Sequence, residues 1–288
     1  MNHQEKKIKI WAENMGCYKL LDSGEKEKLE EINGQKIVRA EPRAWWKKIL
    51  SEKEWKFSKI EPWKDCVINI GIGDIKAKIK FKNTSKHIGI FPEQFSEWKW
   101  VEGRVKKYEL KNTNKKLNVL NLFGYTGIAS LVAASCGAKV THVDASKQSI
   151  EWARENQKLS GLENAPIRWI VNDVLKFMKK KIKQGKRYDA IIMDPPQFGK
   201  SPKGEVWKIE EKLPDLLFAC REILSDKPLF VIFNMYSTEL SSISIANLLS
   251  DMTKNLDGIV EFGELAIKQQ NSERLLPMSI FAMWNTKQ

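Results

Sequence analysis

No apolar run in the 288 residues reaches the roughly 18 needed for a membrane-spanning helix, and the opening residues MNHQEKKIKIW are polar and charged. Neither membrane insertion nor export is expected, and the reading is a cytoplasmic protein. Cysteine is scarce: Cys17, Cys66, Cys136 and Cys220 stand singly, with no CxxC pair and no histidine at ligand spacing. That pattern indicates neither a zinc site nor a disulfide framework and leaves reduced thiols. The G-x-G-x-x-G dinucleotide fingerprint is missing, as are internal repeats and long low-complexity tracts, which argues against a nicotinamide enzyme and a solenoid. Acidic residues are in deficit, 36 against 49 Lys and Arg, for a net charge of +13 and a pI near 9.4. Such a surplus suits a protein that meets polyanions, although lysine-rich composition alone produces the same number.

Charge and aromatics are unevenly spread. Residues 1–112 hold 25 basic and 17 acidic side chains and seven of the eleven tryptophans; the remainder holds 24 and 19. The front part reads as β-rich: KIVRA after a turn at Asn33 and Gly34, VINIG from Val67, IKAKIKF from Ile75 and IGIF from Ile88. IKAKIKF alternates strictly, with Ile75, Ala77, Ile79 and Phe81 facing in and Lys76, Lys78, Lys80 and Lys82 facing out. That lysine row either lines a phosphate backbone or is a solvated sheet face. The seven tryptophans likewise either stack on nucleic acid or fill a small β core.

After the Lys- and Asn-rich stretch 111–116 the pattern becomes strand and helix in alternation, starting LNVLNLF, IASLVAASCGA, KVTHVD and SKQSIEWARENQKLSG. Short apolar strands separated by helices imply parallel strands joined by right-handed crossovers. The last two strands, IVEFGEL and SIFAMWN, have no helix between them and are expected to form an antiparallel hairpin. The expected architecture is α/β, a mostly parallel Rossmann-like sheet with an antiparallel last strand over residues 113–288, preceded by a smaller β-rich domain over 1–112.

In an open α/β sheet, ligands bind at the carboxyl ends of the strands. The first strand runs into Asn121-Leu122-Phe123-Gly124-Tyr125-Thr126-Gly127, where two glycines let the backbone turn tightly and approach a ligand. The second ends at Asp144, followed by Ala145 and Ser146; its carboxylate suits two vicinal ribose hydroxyls or, more plainly, the cap of the next helix. The third is followed by Asn172 and Asp173, where a carboxylate accepts from an adenine amino group or again caps a helix. The fourth ends Asp194-Pro195-Pro196-Gln197-Phe198, a φ-locked turn that has lost two backbone donors and presents its carbonyls.

Glycine loop, two acidic strand ends and DPP, in that order and spacing, resemble the class I S-adenosylmethionine-dependent methyltransferases over residues 113–288. NLFGYTG, VDAS, DPPQF and the upstream HIGIFPEQ (His87 to Gln94) look like a bacterial group related to the large-subunit 23S rRNA methyltransferases. The resemblance implies S-adenosyl-L-methionine as cofactor and places Phe91 and Gln94, with Gly89 and Glu93, beside it. With them go Asn121, Phe123, Gly124, Thr126, Gly127, Asp144, Ala145, Asn172, Asp173 and Asp194. No PUA-like module such as longer relatives carry is evident in the first 86 residues.

Methylation of cytosine carbon 5 requires a nucleophilic thiolate. In the RNA 5-methylcytosine enzymes that cysteine follows the DPP motif or the fifth strand; here those places hold Gln197 and the run Asn234-Met235-Tyr236. Transfer to nitrogen needs only in-line approach, orientation and exclusion of water. The expected function is therefore methyl transfer to a nucleobase nitrogen of RNA, ribosomal RNA by the resemblance. Asp194 and the Pro195 carbonyl would orient the base and Phe198, or Tyr236, would pack on its ring. The loop Gly199 to Gly204 is placed to touch a phosphate. The alternatives are a protein or small-molecule methyltransferase, and a catalytically silent RNA-binding relative.

Overall fold

The computed structural model describes residues 7–57, 63–81, 87–200, 206–236 and 239–287. The chain starts with β1 (Lys9–Trp11) and an antiparallel meander of β2 (Tyr18–Gly24), β3 (Glu27–Ile32) and β4 (Gln35–Ala40). A short helix α1 (Glu52–Phe57) and the hairpin β5 (Cys66–Asn69) and β6 (Lys76–Ile79) follow. A 3-10 turn at Pro92–Gln94 then runs directly into α2 (Phe95–Lys111).

From there strands and helices alternate: β7 (Asn118–Leu122), α3 (Ile128–Ser135), β8 (Lys139–Asp144), α4 (Lys147–Leu159), β9 (Ile167–Val171), α5 (Val174–Lys183) and β10 (Ala190–Met193). A small antiparallel pair, β11 (Phe198–Lys200) and β12 (Val206–Lys208), precedes α6 (Ile209–Ile223), β13 (Phe230–Met235), α7 (Ser242–Thr253), β14 (Gly258–Lys268) and β15 (Leu275–Thr286). The main sheet has eight strands in the order β1-β14-β15-β13-β10-β7-β8-β9. All neighbours are parallel except β15, which runs antiparallel to both β13 and β14. This is the expected sheet, with the hairpin where it was expected. The central strands are buried throughout, as AIIM in β10 and FVIFNM in β13, because helices cover both faces. Val101 of α2 and Leu131 of α3 belong to the core on one face; Phe177, Leu216 and Leu249, from α5, α6 and α7, belong to the core on the other. Among the described residues no helix is long and apolar enough to cross a membrane.

Residues before 113 do not stay apart from this sheet. β1 adds a parallel edge strand to β14, and α2 packs against α3. Neither element was read from the sequence, since KIW is too short to show a period. IGIF is not a strand: Gly89 adopts φ +107 and Pro92 starts a 3-10 turn, so the segment bends instead of extending. In the lysine row, Ile75, Ala77 and Ile79 are buried as expected. Two of its outward lysines meet α4, where Lys78 and Lys80 both pair with Glu155 and the Lys80 ammonium lies 4.5 Å from the Trp152 ring centroid, while Lys76 is exposed. Lys82 lies outside the described residues. Most front-half tryptophans also serve the interior. Trp11 packs on Phe281 at 4.8 Å, Trp100 on Phe230 at 5.2 Å, and the Trp55 indole donates to Asp22 at 3.0 Å. Trp45, 79% exposed under the Lys26 ammonium, is the exception.

Asn156 of α4 joins the hairpin to the loop after β7. Fully buried, it accepts the Lys78 N–H at 2.8 Å and donates to the Thr126 carbonyl at 3.0 Å. Asn156→Ala strands both backbone groups, and urea unfolding is expected to show a loss of about 2–4 kcal/mol. A loss under about 0.5 kcal/mol would mean that water replaces the amide.

Candidate functional site

A cavity of about 1400 Å³ opens at the carboxyl ends of β7, β8 and β10. One wall is the sheet, with Phe123, Tyr125, Asp144, Asp194 and Pro195; the facing wall is built from β3 and β4 and the residues that follow β4, with Lys28, Arg39 and Arg43. The cations of that wall are fixed by buried carboxylates. Glu30 takes Arg39 through Nε at 2.5 Å and Nη2 at 2.8 Å and accepts the Tyr18 hydroxyl at 2.6 Å. Burial alone would raise the Glu30 carboxyl, but Arg39 and Lys28 hold it at about 2. Glu41 accepts Arg43 Nε at 2.6 Å and Nη2 at 3.0 Å.

The loop after β7 is shaped by close packing. Phe123 and Tyr125 adopt positive φ, and Gly127 at φ +82 caps α3 in the left-handed region. Beneath it His142, Ser130 and Asn121 form a buried chain: the Asn121 amide donates to Ser130 Oγ at 2.9 Å, and Ser130 Oγ lies 3.0 Å from His142 Nδ1. Burial drives the His142 pKa down to about 3, so the ring is neutral. A Cβ at Gly124 would sit 2.4 Å from the His142 ring, which leaves this backbone no room for a side chain.

Asp144 accepts two backbone N–H groups, from Tyr125 at 2.9 Å and Ser146 at 2.8 Å, and still lines the cavity. Pinning the loop is therefore compatible with accepting from hydroxyls, because a carboxylate has about four acceptor positions. Ser146, not Asp144, caps α4, accepting Ser149 N–H at 3.1 Å. Asp173 caps α5 through the Lys176 N–H at 2.9 Å and also faces the cavity.

The FPEQ segment reaches the strand end. Gln94 Nε2 donates to Asp194 Oδ2 at 2.8 Å and to the Tyr236 hydroxyl at 3.1 Å. Phe91 packs between Tyr125 and Tyr236, with ring centroids 5.6 and 5.3 Å away. Around this contact lie Glu93 and Glu97, both buried, and desolvation pushes the Asp194 carboxyl up to about 7 and that of Glu97 to about 8.

Of the residues singled out in the sequence, Phe91, Phe123, Asp144, Ala145, Asp173, Asp194 and Pro195 line the large cavity. Gln94, Asn121, Gly124 and Thr126 line a smaller adjoining pocket with Asp194. Gly127 shapes the loop from behind, and Asn172 supports it by donating its N–H to the Asp144 carbonyl. Neither of these two is part of the cavity wall. Phe198 is 57% exposed on β11 and outside the wall. The rings that face the cavity there are Tyr236 and Trp207; the Trp207 indole donates to the Pro196 carbonyl at 2.6 Å. Ser201 to Gly204 of the loop expected to touch phosphate lie outside the described residues. Glu97 and the Lys28, Arg39 and Arg43 wall were missed. Glu97 carried a legible signal, since it precedes Val101 and Val105 at four-residue spacing on the buried stripe of α2.

The site suits a donor carrying hydroxyl and amino groups. It offers carboxylates at two strand ends, a glycine cradle that a Cβ would fill, and buried acceptors with no partner of their own. A family model described as S-adenosylmethionine-dependent methyltransferase matches residues 94–229. The solved S-adenosylmethionine-dependent methyltransferase of Agrobacterium tumefaciens superposes with a TM-score of 0.89 and 38% identity, covering 97% of this chain and 94% of that one. The chain belongs to the S-adenosylmethionine-dependent methyltransferases. Among curated proteins it is 38% identical over 128 residues to the ribosomal RNA large subunit methyltransferase K/L of Shewanella frigidimarina, 44% of this chain and 18% of that protein. It is 30% identical over 152 residues to the ribosomal RNA large subunit methyltransferase I of Klebsiella pneumoniae, 51% of this chain and 38% of that protein. The match thus spans well under half the length of these two relatives.

Gly124→Ala is expected to weaken S-adenosylhomocysteine binding at least about tenfold in calorimetric titration, with a stability loss of about 1–3 kcal/mol from the clash with His142. Unchanged affinity would show that the loop moves away at no cost.

Proposed function

We propose that this protein transfers the methyl group of S-adenosylmethionine to a nucleobase nitrogen of RNA, with ribosomal RNA as the substrate class. The observation that carries the choice of nitrogen is the Asp194 carboxylate at the end of β10, desolvated enough to raise its pKa, in a cavity that no cysteine lines. Burial raises the pKa of Cys17, Cys66, Cys136 and Cys220 alike, the wrong direction for a nucleophile. Cys220 contacts Met193 Sδ at 3.7 Å in the core. Support for RNA comes from the two curated relatives, both named for ribosomal RNA, and from the net charge of +13.

In this reading residues 113–288 hold the donor and residues 1–112 supply the facing wall and RNA docking, with β1 and α2 packed into the donor-binding sheet. Asp144 accepts the ribose hydroxyls beside Ala145, and Asp173 accepts the adenine amino group. The loop 121–127 and Phe91 enclose the remainder. When bound, the donor supplies a methyl group on a sulfonium. Asp194 accepts a hydrogen bond from the target N–H, which orients the nitrogen toward that methyl, and takes the proton that the nitrogen sheds as it gains the methyl group. Gln94 fixes the Asp194 rotamer, and Tyr236 takes over the ring-packing role first considered for Phe198.

A protonated Asp194 cannot take the proton that the methylated nitrogen sheds, so the group is inactive below its pKa and active above it. With that pKa raised to about 7, kcat/KM is expected to climb with pH through about 7 and then level off. Asp194→Asn or Asp194→Ala should lose at least about 100-fold in turnover and the pH limb with it, while S-adenosylhomocysteine still binds. A flat wild-type profile, or near wild-type turnover in either variant, contradicts the role.

RNA affinity is expected to fall at least about tenfold between 50 and 200 mM salt in a filter-binding assay. Salt-insensitive binding would speak for an uncharged or small-molecule acceptor.

A further inference from the structure

Two buried carboxylates lie near Asp194, Glu93 and Glu97, and Glu97 Oε1 has no hydrogen-bond partner among the described residues. They differ in the charges around them. Lys28 and Arg43 act on Glu93 from the facing wall. On Glu97 no cation acts: the groups it feels are Asp194 after β10, Glu93 of the 3-10 turn and the Asn234 amide of β13, which donates to Glu97 Oε2 at 2.7 Å. Among the described residues no salt bridge reaches it. A carboxylate in the first turn of a helix commonly turns back to cap the backbone, but the orphaned Oε1 makes no such bond here. A group 3% exposed, without a cation and with half its acceptor capacity unmet, is costly to keep in a fold.

Glu97 and Asn234 line the small pocket of about 50 Å³ that also has Gln94, Asn121, Thr126 and Asp194 in its wall. This pocket shares Phe91, Phe123, Tyr125 and Asp194 with the large cavity, so it is a recess of the donor site beneath the glycine loop. Asn234 Oδ1 is a second orphaned acceptor in the same wall. The recess therefore offers two unmet acceptors, one of them acidic, in a volume suited to a group the size of a water molecule or an ammonium. An ammonium has three donors and no acceptor, which complements that set. At the first strand end the corresponding polar residue is the uncharged Asn121, so α2 supplies the recess with a carboxylate that β7 does not.

We propose that Glu97, assisted by Asn234 Oδ1, is the counter-ion for the α-ammonium group of the methionine part of the donor. Burial holds the Glu97 carboxyl at about 8, so near neutral pH it is largely protonated and ionises as the cation enters. This assignment rests on membership of the methyltransferase family and not on the acceptor, so it stands or falls separately from the RNA reading.

The test uses binding alone, by calorimetric titration of the full chain with S-adenosylhomocysteine and with its analogue in which hydrogen replaces the α-amino group. Wild type is expected to bind the deaminated analogue at least about tenfold more weakly. Glu97→Gln should weaken S-adenosylhomocysteine by a similar factor yet distinguish the two ligands by no more than about threefold. A variant that weakens both ligands equally, or that keeps the full discrimination, overturns the assignment, as does a wild type indifferent to the amine. If Glu97→Gln fails to fold, wild type titrated at pH 7 in buffers of different ionisation enthalpy decides. Proton release with S-adenosylhomocysteine but not with the deaminated analogue is expected, and equal release with both overturns the proposal.

Discussion

The hydrogen bond from Gln94 to Asp194, 2.8 Å long, ties together two parts of the chain at the mouth of the site. It joins a 3-10 turn upstream of the sheet to the end of a central strand. Gln94 is the residue from which α2 starts, so the position of that helix is set at the end of β10. From this constraint follow the burial of Phe91 between Tyr125 and Tyr236 and the placement of Glu97 beneath the glycine loop. The cavity is closed on its far side by β3 and β4, whose meander is held to the end of β14 where Gln269 donates to Asp22 at 3.0 Å.

The chemistry of the site depends on where charges are compensated. On the facing wall, Glu30 and Glu41 are each gripped by two nitrogens of an arginine and stay ionised. Across from that wall, Asp194 after β10 and Glu97 of α2 are desolvated with no hydrogen-bonded cation, and both carboxyls move toward neutral pH. A donor that brings positive charge to the side of Asp194 and Glu97 would meet a complement there. The overall charge of +13 describes neither wall of the cavity; it is the arrangement of buried pairs that separates them.

The sheet and the end of each of its first four strands were legible because their signals are local. Apolar runs of strand length, glycines at a strand end and an Asp-Pro-Pro turn show their physical constraints in a few residues. The Asp173 cap was legible for the same reason. What could not be read depends on partners distant in sequence. Nothing in KIW announces that it pairs with β14, and the alternation of IKAKIKF does not show that Lys78 and Lys80 meet Glu155 of α4. Phe198 looked equivalent to Tyr236 as a stacking ring until the small β11 and β12 pair turned it outward. Glu97 reads as an ordinary surface glutamate unless its place on the stripe of α2 is noticed.

Transfer to nitrogen without a cysteine nucleophile is the central claim, and the chemical identity of the product tests it most directly. Ribosomal RNA from cells lacking the gene would be incubated with the protein and isotopically labelled donor, digested to nucleosides and analysed by mass spectrometry. The account predicts label in a single N-methylated nucleoside, with the methyl on a ring or exocyclic nitrogen. Label in 5-methylcytidine, or in protein with none in RNA, would contradict it.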